Sequence, residues 1–321
     1  MKPTPSRNIG SLVAAFFRLV RYPNLIFILL TQYLLQYALI LPVFSHYGLI
    51  PTLHGWTFLL LSLSTICVAA AGNIINDYFD VNIDLVNKPD RVIIDKIINR
   101  RWAIAWHTLL NVAGVAIGFA VGWAIGYPLL GFTQLCCSGL LWFYSTAYKR
   151  QLIVGNIVIA LLTALTVLIV GFYEPQLYRE ITPLNAAAVY LLLRMLLLYA
   201  AFAFLISMIR ELVKDLEDVV GDNRLGCRTL PIVYGINAGK DVVFLLTGLL
   251  LTGIVLVQLK MMQLHWYAVT IYLLLTVELP LLWMCRKLKK AVLSPSYHMI
   301  SSLIKWIMLA GIISLLFFLK W

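Results

Sequence analysis

Runs of about twenty consecutive apolar residues leave a chain few ways to fold. In this sequence they recur at roughly 24–44, 53–72, 103–125, 129–147, 153–172, 185–208, 241–259, 265–284 and 299–319. A soluble chain of 321 residues must wet its outside, and 62% hydrophobic residues is more than such a core can hide. Within lipid, a segment has to satisfy its own backbone hydrogen bonds, which a helix does and an isolated strand does not. The runs therefore predict an all-α integral membrane protein, a nine-transmembrane-helix bundle built as one domain over 1–321. The polar start with Lys2, Arg7, Arg18 and Arg21 precedes an apolar run too long for a signal-peptide core, so the first helix is expected to stay uncleaved.

The net charge of +11 could suggest nucleic acid, but its placement argues against that partner. With the N-terminus inside, the inner segments hold Lys2, Arg7, Arg18 and Arg21, then Lys88, Arg91, Lys96, Arg100 and Arg101. Further along they hold Lys149 and Arg150, a group from Arg210 to Lys240, and the cluster Arg286, Lys287, Lys289 and Lys290. The outer segments hold little beyond Arg179, Lys260 and Lys320. This asymmetry predicts a multi-pass protein of the inner, cytoplasmic membrane, with its basic side toward the cytoplasm and anionic lipid.

The cysteines Cys67, Cys136, Cys137, Cys227 and Cys285 form no C-x-x-C pair, and the histidines are scattered without ligand spacing. They read as buried small residues rather than a disulfide or soft-metal framework. The long inner connections, about 73–102 and 210–240, carry most of the acidic residues and are where function is expected.

Residues 76–84 read "NDYFDVNID" and residues 214–222 read "KDLEDVVGD". Asp77, Asp80 and Asp84 share the spacing D-x-x-D-x-x-x-D with Asp215, Asp218 and Asp222. If each stretch continues the preceding span as a helix, each trio falls within about 60° of one face. Asn73 joins the first face and Glu211 the second. Like charges so spaced repel unless a cation offsets them, and near a membrane the cost rises. Oxygen ligands without Cys or His favour Mg²⁺, which binds through one or two carboxylates plus waters and substrate phosphates. Two such stripes would make a two-metal cradle for a diphosphate. Lys88 and Arg91 follow the first stripe, Arg224 and Arg228 follow the second, and Lys149 and Arg150 stand in "YSTAYKRQLIVGN", all suited to phosphate oxygens.

At this point the residues resemble a known family. "GNIINDYFDVNIDLVNKPDR" and "RELVKDLEDVVGDNRLGCRTLPI" resemble the two aspartate-rich motifs of the UbiA superfamily of intramembrane prenyltransferases. "YSTAYKR" followed by "GN", and "RYPNLI" before the first span, resemble further segments of it in the same order. The resemblance implies a bundle around a central cavity that opens to lipid, and transfer of a prenyl group from a prenyl diphosphate to a lipid acceptor with Mg²⁺ as cofactor. It implies metal ligands at Asp77, Asp80, Asp84, Asp215, Asp218 and Asp222, of which Asp77, Asp80, Asp218 and Asp222 are the expected catalytic set. Asn73 falls in the first metal motif, and Arg91 and Lys149 match positions expected to contact diphosphate. Arg228 adds a nearby cation and Tyr144 an aromatic face for the developing allylic cation.

Within the superfamily the first motif is most similar to geranylgeranylglyceryl phosphate geranylgeranyltransferases, which implies a geranylgeranyl donor and an ether-lipid acceptor. "DVVGD" followed by "GCRTL" is also similar to the second motif of naphthoquinone prenyltransferases, so an aromatic acceptor stays open. A secondary transporter is the alternative of another class. It fits less well, because transporters hold their ions near the midplane and these carboxylates lie at the edge.

Overall fold

The computed structural model describes residues 9–179 and 181–320. Lys2 and Arg7 of the charge census lie outside the described residues, as do the side chains of Arg91 and Lys320. The described chain is helical, with no strand beyond a single bridge between Ile94 and Ile98. In order, the helices are α1 (Ile9–Leu19), α2 (Tyr22–His46), α3 (Gly55–Asn87), α4 (Arg100–Ala124), α5 (Gly131–Thr146) and α6 (Val154–Phe172). They continue as α7 (Ala186–Arg224), a short α8 (Leu230–Val233), α9 (Ile236–Gln263), α10 (Tyr267–Lys290) and α11 (Ser294–Ile313).

Among the described residues, eight helices are long and apolar enough to cross a membrane. The difference from nine lies at the expected span 129–147, where α5 has 16 residues and follows a 3₁₀ turn at Pro128–Leu130. At 1.5 Å per residue α5 is about 24 Å long, short of a hydrocarbon core of about 30 Å. Two helices err in the other direction. α3 has 33 residues and α7 has 39, so both run well past the roughly twenty that a bilayer needs. Their last turns are where the aspartates stand.

Two spanning helices contain π turns, at Leu35–Ile40 and Leu274–Glu278. Each is followed within two residues by a proline, Pro42 and Pro280. Proline lacks an N–H and clashes with the carbonyl four residues back, and a widened turn absorbs both faults without breaking the span. The second π turn also buries Glu278, an ionisable residue inside a candidate span.

The chain divides into two compact units, Met1–Leu29 with Trp56–Ala147, and Leu30–Gly55 with Tyr148–Trp321. In the first, Ala15, Leu19 and Val20 of the α1 end pack with Ala70, Ile74 and Val81 of α3. Val92, Ile94 and Ile98 of the connection after α3 fold back into the same cluster, which explains why "VIIDKIINRR" is so apolar outside a span. A polar thread also joins its helices. The His107 Nδ1 lies 3.0 Å from the Ala71 carbonyl, Asn111 lies 3.1 Å from the other ring nitrogen, and Ser138 donates to Asn111 at 2.9 Å. Such interhelical bonds matter in lipid, where the hydrophobic effect does not drive helices together and packing and hydrogen bonds do. In the second unit, Ile209, Leu212, Val213 and Leu216 of α7 pack with α9, α10 and α11 through Val243, Leu281, Met284, Leu288, Ile300 and Ile304.

Candidate functional site

The first stripe lies on α3, which stays helical through Asn87, so Asn73, Asp77, Asp80 and Asp84 share a face as the spacing predicts. All three aspartates are half-buried. They occupy the C-terminal turns, where the helix dipole is already negative and the last turn holds no basic residue. The compensation comes from far away in sequence. Arg21, between α1 and α2, donates Nη2 to Asp77 Oδ1 at 2.5 Å. One residue earlier, the Val20 carbonyl accepts from Asn73 Nδ2 at 2.9 Å. The α1–α2 junction is thus fastened to two successive turns of the stripe. The Arg21 backbone sits at φ +53, a left-handed conformation uncommon for a non-glycine residue and typical of functional sites. The Asp77 carboxylate raises the guanidinium pKa above its ordinary value. Burial opposes the shift, and Tyr144 and Asp84 add to it from nearby. Asp77, Asp84 and Tyr144 are therefore gathered around one arginine, with Asn73 on the carbonyl just before it, and in the sequence that arginine stands out only as a topology charge.

Aromatic rings flank this stripe. The Arg100 guanidinium lies 5.6 Å over the Tyr78 ring, Tyr78 meets Phe79 edge-on at 5.3 Å, and Phe79 meets Trp142 edge-on at 5.9 Å.

The second stripe lies on α7, again in unbroken helix, with Asp215, Asp218 and Asp222 half-buried. Asp215 Oδ2 accepts from Asn156 Nδ2 at 2.8 Å, so the "GN" at the start of α6 supplies a neutral donor. Glu211, the positional counterpart of Asn73, is closed by Lys214 at 2.6 Å and Arg210 at 3.1 Å. After Arg224 the chain turns in a Schellman motif: Gly226 at φ +72 donates to the Asn223 carbonyl, and Cys227 donates to the Asp222 carbonyl at 2.9 Å. Only a residue tolerant of positive φ closes a helix this way. The Arg228 N–H then bonds the Arg150 carbonyl at 2.8 Å, which fixes the turn Tyr148–Arg150 beside the end of α7. That turn also lies tight on α6. A Cβ on Gly155 would stand 2.7 Å from the Lys149 Cα and 3.0 Å from the Tyr148 carbonyl oxygen. Lys149 is half-buried, while the Arg150, Arg224 and Arg228 side chains are exposed.

Cys227 reports on the charges here. Its thiol pKa is raised mainly by burial and then by Asp222, while Arg150 and Lys149 pull it down and Asp215 pushes it up. Asp215, Asp222, Lys149 and Arg150 thus converge around it. Sequence reasoning read Cys227 as a small buried residue and missed the donor role of Asn156; the "GN" was visible, but its partner lies 59 residues away.

The donor chemistry of each stripe fits a hard divalent cation. It is oxygen alone, and the Asn76 Oδ1, one turn before Asp80, is buried with no hydrogen-bond donor. Among the described residues no three His, Cys, Asp or Glu side chains form a ready ligand set. Mg²⁺ does not require one, since waters and phosphates complete its octahedron.

A model of the UbiA prenyltransferase family matches residues 34–303, across both stripes. The chain is 34% identical over 181 residues to the digeranylgeranylglyceryl phosphate synthase of Methanothermobacter thermautotrophicus, covering 56% of this chain and 57% of the relative. It is 36% identical over 189 residues to the enzyme of that name from Methanoregula boonei, covering 59% and 61%. The chain thus spans about three-fifths of the length of these relatives. Among solved structures, a UbiA homologue from Archaeoglobus fulgidus bound to GPP and Mg²⁺ superposes with TM-score 0.62 at 15% identity, over 96% of this chain and 100% of that one. The apo UbiA homologue from Aeropyrum pernix gives 0.59 at 17%, over 94% and 98%.

Proposed function

The chain belongs to the UbiA prenyltransferase family, and from that premise we propose that it is a Mg²⁺-dependent prenyltransferase of ether-lipid synthesis. The donor is a long-chain prenyl diphosphate, geranylgeranyl diphosphate, and the acceptor is geranylgeranylglyceryl phosphate. One observation carries the reading: both D-x-x-D-x-x-x-D stripes stand on the last turns of helices that overshoot a bilayer. The synthase name of the relatives supports the acceptor.

Asp77, Asp80 and Asp84 would hold Mg²⁺ on one stripe, and Asp215, Asp218 and Asp222 on the other. Bound Mg²⁺ supplies positive charge that offsets the diphosphate as it leaves. The remaining work falls to the chain. Lys149, Arg91 and Arg228 bind diphosphate oxygens that carry the growing negative charge. Asn156 holds Asp215 in orientation through its amide. Tyr144 and the neighbouring apolar residues keep water from the allylic carbon, which water would otherwise capture. Each buried CH₂ of the prenyl chain contributes about 0.8 kcal/mol, which favours long donors.

The proposal includes one domain over the whole chain, nine spans and an active site facing the cytoplasm, in the inner cell membrane. Product formation from geranylgeranyl diphosphate tests it, with geranylgeranylglyceryl phosphate and a dihydroxynaphthoate offered in parallel. Ether product that disappears in excess chelator is the expected result. Prenylation of the aromatic acid alone would overturn the acceptor, and full turnover in chelator would overturn the metal. Cysteine labelling that puts residues 85–100 and 175–179 on one side would overturn the topology.

A further inference from the structure

The second unit holds an apolar cavity of about 160 Å³ between α7, α9, α10 and the end of α11. Met195, Leu250, Val269 and Phe318 form buried walls. Leu198, Ala201 and Gly253 form an exposed rim. The polar side chains in its lining are Tyr199 and Ser314, and they bond each other, with 2.7 Å between their hydroxyl oxygens. Ser314 also donates to the Gly311 carbonyl at 2.6 Å. No carboxylate, ammonium or guanidinium lines the cavity, so a phosphate or a metal finds no partner there. An apolar cavity of this size stays dry and takes small hydrocarbons.

Its depth identifies the medium around it. Gly253 is ten residues from the end of α9, about 15 Å. Phe202, also in the lining, is 16 residues from the start of α7, about 24 Å. Both helices are candidate spans, so the open rim faces hydrocarbon at a level that a polar headgroup does not reach. The cavity also lies off the aspartate face. Phe202 precedes Asp215 by 13 residues and Leu198 by 17, which turns them about 140° and 100° round α7.

We propose that this cavity binds the hydrocarbon chain of a bilayer lipid, at a site separate from the one that handles diphosphate. The chain enters over Leu198 and Gly253 and fills space that would otherwise be void beside α7. The inference does not depend on which acceptor the protein uses.

Gly253 provides a clean test, because a Cβ there meets nothing within 4 Å. Gly253→Phe starts its side chain in open space at the rim, where the ring is expected to occlude the cavity, and replaces a poor helix former. The protein is placed in phospholipid nanodiscs containing a phospholipid with a diazirine near its chain end, irradiated, and mapped by peptide. Labelling should concentrate on peptides spanning residues 195–205 and 250–261. In Gly253→Phe it should fall at least fivefold on those peptides and stay unchanged elsewhere. Mg²⁺-dependent turnover and the melting temperature of that variant should match the parent. Gly253→Leu serves as the milder control and should give a smaller loss. Labelling no stronger there than on other lipid-facing peptides overturns the site, as does equal labelling in Gly253→Phe. Suppression by excess geranylgeranyl diphosphate would assign the cavity to the donor chain and overturn the lipid reading. Turnover measured on the same samples keeps failure of the proposed reaction distinguishable from failure of this site.

Discussion

On the first stripe a guanidinium meets Asp77 at 2.5 Å; on the second a neutral amide meets Asp215 at 2.8 Å. The spacing of the carboxylates is the same, and the charge arrangement is not. Arg21 already offsets part of the negative charge of the first stripe. Asn156 orients Asp215 without adding charge, and the cation that acts on Asp215 is its neighbour Lys214, which is itself paired with Glu211. A cation held at the first stripe would compete with Arg21 for an oxygen of Asp77. At the second, the hydrogen-bond partner of Asp215 is a neutral amide, with which a cation would not compete for charge. Equal sequence spacing therefore does not imply equal metal affinity.

The largest test removes one charge from each stripe. Asp77→Asn and Asp218→Asn keep side-chain size, and each should abolish product formation while the protein still elutes as a folded species. Wild-type rates in either variant, at saturating Mg²⁺, would show that its stripe is dispensable and that the comparison has no functional content.

Asn156→Ala comes next. A hydrogen bond to a charged group is worth about 1.5–3 kcal/mol, so turnover should fall roughly tenfold or more. Mg²⁺ affinity should fall as well, because Asp215 loses its orientation. A variant with unchanged affinity and rate would mean that the amide is incidental.

Gly155→Ala probes the turn that carries Lys149. Its Cβ would press on backbone atoms rather than a flexible side chain, and overpacking of this kind costs about 1–3 kcal/mol. KM for the prenyl diphosphate should rise several-fold with a smaller change in kcat, and lower thermal stability should accompany it. A raised KM with Lys149→Ala, and no further rise in the double variant, would tie the effect to the lysine.

Arg21→Gln should give the smallest change and the most discriminating one. The pair is partly exposed, so it contributes about 1 kcal/mol or less. Titration calorimetry should show Mg²⁺ binding two- to fivefold tighter, with slightly lower stability of the metal-free protein. Weaker Mg²⁺ binding in this variant would mean that Arg21 supports the metal site instead of competing with it.

The sequence by itself determined the features that depend on short-range periodicity. Hydropathy summed over about twenty residues suggested nine spans, and eight of them are helices long and apolar enough to cross a membrane among the described residues, because lipid demands that length of every spanning helix. The aspartate faces were legible because a helix repeats every 3.6 residues, and α3 and α7 do continue without a break through both stripes. Pro42 and Pro280 were plain in the sequence, whereas the π turns that precede them depend on how each span accommodates the lost bond. The region 129–147 was apolar enough to suggest a span, but only 16 residues stay in α5. The partners of the carboxylates belong to the tertiary structure alone. Arg21 and Asp77 lie 56 residues apart, and Asn156 and Asp215 lie 59 apart. No local pattern links such positions. Packing joins them: the left-handed turn at Arg21 brings one cation onto α3, and the seating of α6 against α7 brings an uncharged amide to the other stripe.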